Sequence, residues 1–368
     1  RMSKAAELAA LIGSQTAQSN RNLIINGAMN VAQRGTSVTG IGGDADYKTI
    51  DRFRLNTSNT AGRLTMSQSS VTDLPGFANA LKLDCTTADT SIASTEVGII
   101  QYRFEGQDLQ QLKKGTSSAE PVTVSFYVKG NASATYTCEF EDSDNSYRAN
   151  SQEFSVTTSW NRVSLTYVGD TTGTLDDDNA QSMQLNFWFH AGSNFTSGTF
   201  ASNTWQTDQT KRVGDNQTSF FDSTDRTLEI TGLQMEIGEV ATPFENRSFA
   251  DDLARCQRYF CKTFPTATAP VQNGGNNGSL IAVASGTATA PNRAFSVAFN
   301  YPVEMRASPT VTTFNPAGSD ALWYKHTDGS TLAVTASFPS ERSISLTNGA
   351  SATDQQAYRI HATADAEL

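Results

Sequence analysis

Paired carboxylates are the first place to look for chemistry in so acidic a chain, and "EFEDSDNS" offers Glu139, Glu141, Asp142 and Asp144. A glycosidase sets two such groups about 5 to 10 Å apart. Alternation along a strand sends Glu139 and Glu141 to one side, yet acids at a strand end read first as a solvated face. The spacing of Asp142, Asp144 and Ser146 matches the start of a calcium loop but lacks the glycine and the closing bidentate glutamate. "LDDDNA", with Asp176 to Asp178, reads as a turn before it reads as a cation site. His190, His326 and His361 each stand apart from any nucleophile signature, and no GxSxG, HExxH or Walker-type loop occurs. Cys85, Cys138, Cys256 and Cys261 are too few to staple a chain of this length, and "CQRYFC" suits neither a CxxC redox pair nor a zinc knuckle. They read as free buried thiols. The chain is therefore expected to have no catalytic residues, metal or cofactor, and not to be an enzyme.

Aromatic side chains are the better lead, because a flat ring with short polar groups around it suits the apolar face of a sugar. Trp160 and Trp188 fall in or beside strands and are expected in the core or at its rim. Trp205 in "ASNTWQTDQT" and the group Trp323, Tyr324 and His326 in "LWYKHTDG" are expected to be exposed and to contact a ligand.

Composition narrows the partners. The 368 residues carry a net charge of −10, and the deficit of basic groups lies in residues 23–264. Phosphate binding depends on clustered Lys and Arg releasing counterions, so nucleic acid and anionic membrane surfaces are disfavoured. No stretch reaches the roughly 18 apolar residues of a membrane span, and "MSKAAELAALIGS" lacks the regions of a secretory signal. Six Asn-x-Ser/Thr sequons are expected by chance in a chain so rich in these residues.

The elements that must position any site are mostly strands. "PVTVSFYVKG" puts Val122, Val124, Phe126 and Val128 on one face, and "MQLNFWFHAG" does so with Leu185, Phe187 and Phe189. Period two with a polar opposite face predicts half-buried sheets closing face to face, a jelly-roll β-sandwich. The expected organisation is a short N-terminal helix for attachment or oligomerisation in 1–21, a jelly-roll domain in 22–247, a linking helix in 248–264 and a smaller C-terminal β-sandwich, the tip, in 265–368. Leu8, Leu11 and Ile12 form the apolar face of the first helix and are expected to oligomerise or dock it. Ser248 caps the second, Asp251 and Asp252 sit in its first turn, and Pro265 stops it.

"NLIINGAMNVAQRGTS" followed by "YKTIDRFRL" resembles the opening of bacteriophage virion proteins, especially tail-fibre and receptor-binding proteins. "TSWNRVSLTY", "LEITGLQMEIGEVATPFENRSFADDLARCQRYF" and "YRIHATADAEL" extend the resemblance over nearly the whole chain after residue 22, and Phe53 stands where a tryptophan is common. The middle region also looks like the jelly roll of carbohydrate-binding modules. The resemblance implies a non-enzymatic virion component, assembled in the host cytoplasm, trimeric with copies of itself, docked to other tail or head proteins through its N-terminal helix and attaching to a host surface glycan or protein. A structural capsid or tail decoration and a polysaccharide-degrading tail enzyme are the competing roles. In the opening motif, Asn26-Gly27 and Arg34-Gly35 are read as turns, Leu23 to Val31 as a buried first edge of the sandwich, and Arg34 and Arg52 as holding carboxylates such as Asp51 or Glu236.

Overall fold

The computed structural model describes residues 20–284, 295–349, 352 and 355–368; Leu8, Leu11 and Ile12 lie outside them. Two six-stranded antiparallel sheets form the larger sandwich. The first has the order β1 (Ser37–Ile41), β4 (Arg63–Ser70), β5 (Asn79–Thr87), β12 (Thr227–Ile237), β7 (Val122–Gly130), β10 (Asn161–Tyr167). The second has the order β2 (Ala45–Tyr47), β3 (Phe53–Asn56), β6 (Val97–Glu105), β11 (Gln181–Ala191), β8 (Ala134–Asp142), β9 (Arg148–Val156). The chain crosses between the sheets, which is the winding of a jelly roll. The alternating side chains close between them as expected: Val122, Val124, Phe126 and Val128 meet Leu185, Phe187 and Phe189 in one apolar core.

The opposite face of the second sheet is not solvated. Glu139, Glu141, Gln184, Asn186, Trp188 and His190 are all buried. The long connection from β11 to β12, which contains the short helix α1 (Ser193–Thr196), folds back over part of this face and brings Phe195, Arg212 and Val213 against it. Period two fixes which side chains share a face; it does not say what a later loop covers.

The C-terminal part is organised around β21 (Ala357–Asp365), which pairs with β13 (Phe260–Lys262), β14 (Leu280–Val283), β16 (Thr310–Phe314) and β17 (Trp323–Lys325), the last also pairing with β18 (Thr331–Leu332). A three-stranded sheet of β15 (Ser296–Asn300), β20 (Ser343–Asn348) and β19 (Val334–Ser337) completes a second apolar core. The helix expected over 248–264 is α2 (Phe249–Gln257), with the Ser248 hydroxyl accepting from the Asp251 N–H at 3.1 Å. It ends earlier than expected, and Phe260–Lys262 pairs instead with the last residues of β21.

The opening motif is a bracket rather than an edge strand. Asn26 and Met29 take left-handed φ of 61° and 58°, and the Asn26 amide ties Val31 and Asp51 together. A Cβ on Gly27 would sit 2.1 Å from the Leu233 carbonyl oxygen on β12, so only glycine lets the backbones approach. Arg34 lies over the Phe260 ring at 3.8 Å and bonds Asp365 at 2.9 Å, while it stays 3.9 Å from Asp51. Arg52 lies over Tyr259 at 3.4 Å and pairs with Glu367. Glu236 is instead bonded by Thr242 and lies 3.7 Å from Arg21. The motif thus fastens the sandwich to the C-terminal strand.

Candidate ligand-binding face

Strand register places the outward side chains of the second sheet in three parallel rows. Arg54, Gln101, Asn186 and Glu139 stand opposite one another on β3, β6, β11 and β8. Arg103, Gln184 and Glu141 form the next row, and Ile99, Trp188 and Thr137 the one on the other side. Neighbouring strands lie about 4.8 Å apart, so planar amide, guanidinium and carboxylate groups are held in a fixed array.

The array is internally bonded. Gln101 Nε2 donates to Gln184 Oε1 and to Asn186 Oδ1, both at 3.3 Å. Asn186 Nδ2 donates to Glu139 at 2.9 Å and Glu141 at 3.3 Å, and the Trp188 indole N–H donates to Glu139 at 3.1 Å. Arg212 bridges both carboxylates, with Nε 2.8 Å from Glu139, and lies 5.2 Å over the Trp188 ring. One guanidinium therefore fills the space in which a glycosidase would place the scissile bond, and the expectation of a solvated acidic face is corrected.

The other end of the rows is less closed. Arg54 and Arg103 are half-buried, and among the described residues neither pairs with an Asp or Glu side chain. Burial first, and the Arg103 charge next, pull the Arg54 pKa down; burial does the same to Arg103. Arg54 instead bonds the Gln101 side chain and the Ala45 carbonyl, and Arg103 bonds the Leu368 oxygen. A positive, hydrogen-bond-rich edge results on an otherwise acidic molecule.

The sequence-predicted contact residues lie elsewhere. Trp323 is fully buried, donates to the Thr347 carbonyl at 3.1 Å and packs edge-on against Phe295, so it is core and no platform. Its strand precedes a turn, but the three-stranded sheet covers it. Tyr324 is half-exposed and His326 exposed, with ring centres 6.4 Å apart. Trp205 is half-buried, donates to the Val168 carbonyl at 2.8 Å and lines a cavity of about 20 Å³ with Tyr167 and Met183. That is room for one water, not for a sugar ring. The place suspected of calcium is taken by an ammonium: Lys114 Nζ pairs with Asp142, lies 3.1 Å from Asp170 and donates to the carbonyls of Thr172 and Gly173 at 2.9 Å. Among the described residues no group of three or more metal-ligating side chains is present. All four cysteines are free and buried, and burial pushes Cys138 and Cys261 up to about 12.

Two contacts had no signal in the sequence. Arg212 reaches Glu139 from 73 residues away. His190 bonds Glu96 through Nε2 and Ser219 through Nδ1, each at 2.8 Å, with partners 94 and 29 residues distant.

No family model matches the chain, and no curated protein does. Among solved structures it is similar to one described as CBM4 structure and function, at 13% identity and TM-score 0.28, covering 58% of this chain and 97% of that one. It is similar to the family 11 carbohydrate-binding module of a cellulosomal cellulase of Clostridium thermocellum, at 11% identity and TM-score 0.29, covering 56% and 98%. A third likeness is to the enzymatically active domain of tailspike protein 4 of bacteriophage CBA120, at 9% identity and TM-score 0.30, covering 59% of this chain and 21% of that one. At TM-scores this low the functional reading rests on this chain's own side chains.

Proposed function

We propose that the chain is a bacteriophage virion protein of the tail-fibre or receptor-binding kind that recognises a host-surface glycan without cleaving it at the ladder. The observation that carries the recognition role is the half-buried end of this array, where Arg54 and Arg103 reach the surface while the buried Gln101, Gln184 and Asn186 beside them hold the register. Fixed amide and guanidinium groups donate to and accept from neighbouring hydroxyls, and their mutual bonds orient them before a ligand arrives. The virion setting rests on the sequence resemblance. Within it the chain self-associates as a trimer, and the segment bearing Leu8, Leu11 and Ile12 docks to other virion proteins. Weak single contacts would then be multiplied by copy number.

A structural decoration is the second reading, favoured by Ile281 and Val283, which lie 47% and 57% exposed on β14. Binding of labelled full chain to host cells separates the two. On the glycan reading, host polysaccharide competes with binding, and Arg54→Ala with Arg103→Ala reduces it at least about 10-fold, each lost charge-assisted bond weighing on the order of 1.5 kcal/mol. Tyr324→Ala with His326→Ala is the parallel arm. If a well-folded chain binds no cells and no polysaccharide, the decoration reading stands.

A further inference from the structure

Ser219, His190 and Glu96 form a hydrogen-bonded relay that opens on a cavity, and we propose that it is a hydrolytic site for esters of small acyl groups. Glu96 Oε2 lies 2.8 Å from His190 Nε2, and Glu96 is itself held by the Ala93 N–H on its other oxygen. A carboxylate there accepts the Nε2 proton, which leaves Nδ1 as the acceptor, 2.8 Å from Ser219 Oγ. The imidazole is fully buried, with its ring edge on Phe221 at 5.1 Å. Gly98 leaves it room, since a Cβ there would sit 2.8 Å from the His190 Cβ.

Ser219, in contrast, is partly exposed and lines a cavity of about 220 Å³ with Ile92, Ala191, Gly214, Asp215 and Gln217. Its oxygen also accepts the Phe221 N–H at 3.1 Å. A hydroxyl oxygen has two lone pairs, so this cap occupies one and leaves the other free to attack. Nucleophile, base and orienting carboxylate are in bonding order, and the cavity is large enough for a small acyl group.

In the proposed step Ser219 Oγ adds to the ester carbonyl carbon as its proton passes to His190 Nδ1. The carbon–oxygen bond to the alcohol breaks, and the leaving oxygen takes that proton. Water then attacks the acyl-serine, gives a proton to Nδ1, and the carboxylic acid departs as Ser219 Oγ recovers its proton. The sum is ester plus water to acid plus alcohol, with no oxidant or metal required. Ser219 is the catalytic nucleophile, His190 the base, and Glu96 a positioning residue. This site does not rest on the glycan reading.

The test uses the full chain with a fluorophosphonate probe and with p-nitrophenyl acetate. Expected are probe attachment mapped by mass spectrometry to Ser219, and ester hydrolysis that falls at least about 100-fold in Ser219→Ala and His190→Gln, the lower range for loss of a positioned base. Glu96→Gln lowers kcat with KM unchanged, which a merely structural carboxylate would not do. Ser219→Ala also loses the cap to Phe221, so its melting is compared with that of Ser219→Cys, which keeps a nucleophile. A wild-type chain that is folded, takes no probe on Ser219 and hydrolyses the ester no faster than Ser219→Ala overturns the proposal. The histidine would then be a satisfied core residue.

Discussion

At the scale of single residues, buried charge explains more of this molecule than exposed charge does. Arg212 meets two carboxylates that are themselves buried, and removing one partner leaves the others uncompensated in a poorly solvating place. Arg212→Ala is expected to cost about 3 to 5 kcal/mol in urea unfolding. The triple replacement of Arg212, Glu139 and Glu141 by apolar residues of similar volume is expected to cost less than that single change. If Arg212→Ala is neutral, the three groups are not coupled. Trp323 argues the same way for apolar surface: Trp323→Ala should lower stability by about 3 to 5 kcal/mol, whereas Tyr324→Ala on the same strand should stay within about 1 kcal/mol.

At the scale of elements, close approach decides where segments sit. The opening run lies along β12 through the Leu23 N–H to the Met235 carbonyl and the Leu233 N–H to the Gly27 carbonyl, both 2.9 Å. Gly27→Ala forces a methyl group into the Leu233 carbonyl, and an overpacking cost of about 1 to 3 kcal/mol or more follows, readable as a lower denaturant midpoint. Just past the end of α2, the chain is tied to the second sheet by polar contacts. Arg258 bonds Glu105 at 3.0 and 2.7 Å, and Tyr259 donates to the same carboxylate. Burial raises the Glu105 pKa, but these bonds outweigh it and hold the group below its ordinary value. A carboxylate with a depressed folded pKa adds stability above its unfolded pKa of about 4.3, and that stability is lost as pH falls through the folded value. Thermal unfolding should therefore weaken below about pH 4, and Glu105→Gln should be less stable at neutral pH and flatten that part of the profile.

At the scale of the whole molecule, two apolar cores are joined by polar contacts. One core runs from Ile24 to Met235 and the other from Cys261 to Ala366. Between them lie Arg34 and Arg52 with Asp365 and Glu367, the Gln33 amide on the Phe260 carbonyl at 2.7 Å, Lys262 on the Gln33 carbonyl at 2.7 Å and Arg306 on Asn179. Charged pairs carry much of this junction, and Arg34 and Arg52 supply its cations. Calorimetry is expected to show one transition for the unaltered chain and two when Arg34→Ala is combined with Arg52→Ala. Two transitions in the unaltered chain would mean that the junction does not couple the cores.

Much of the sandwich is legible in the chain itself, because alternation is a local property: Val122 to Val128 and Leu185 to Phe189 announce their buried face with every second residue. Capping at Ser248 and buried free thiols are equally local or compositional. The site was not legible in this way. Trp323 was expected on the surface because a turn follows it, yet a sheet formed by residues before and after it closes over the ring. Glu139 and Glu141 looked like solvated acids because nothing near them in sequence shows Arg212 arriving. The row from Arg54 to Glu139 joins four strands whose order is not their order in the chain, and the relay of Glu96, His190 and Ser219 joins residues 94 and 29 apart. Periodicity and composition thus determined the β class and the inward faces, since each is set by neighbours along the backbone. Tertiary structure decided which polar groups meet and which rings are covered, since strand order and returning loops bring together residues that no local pattern links.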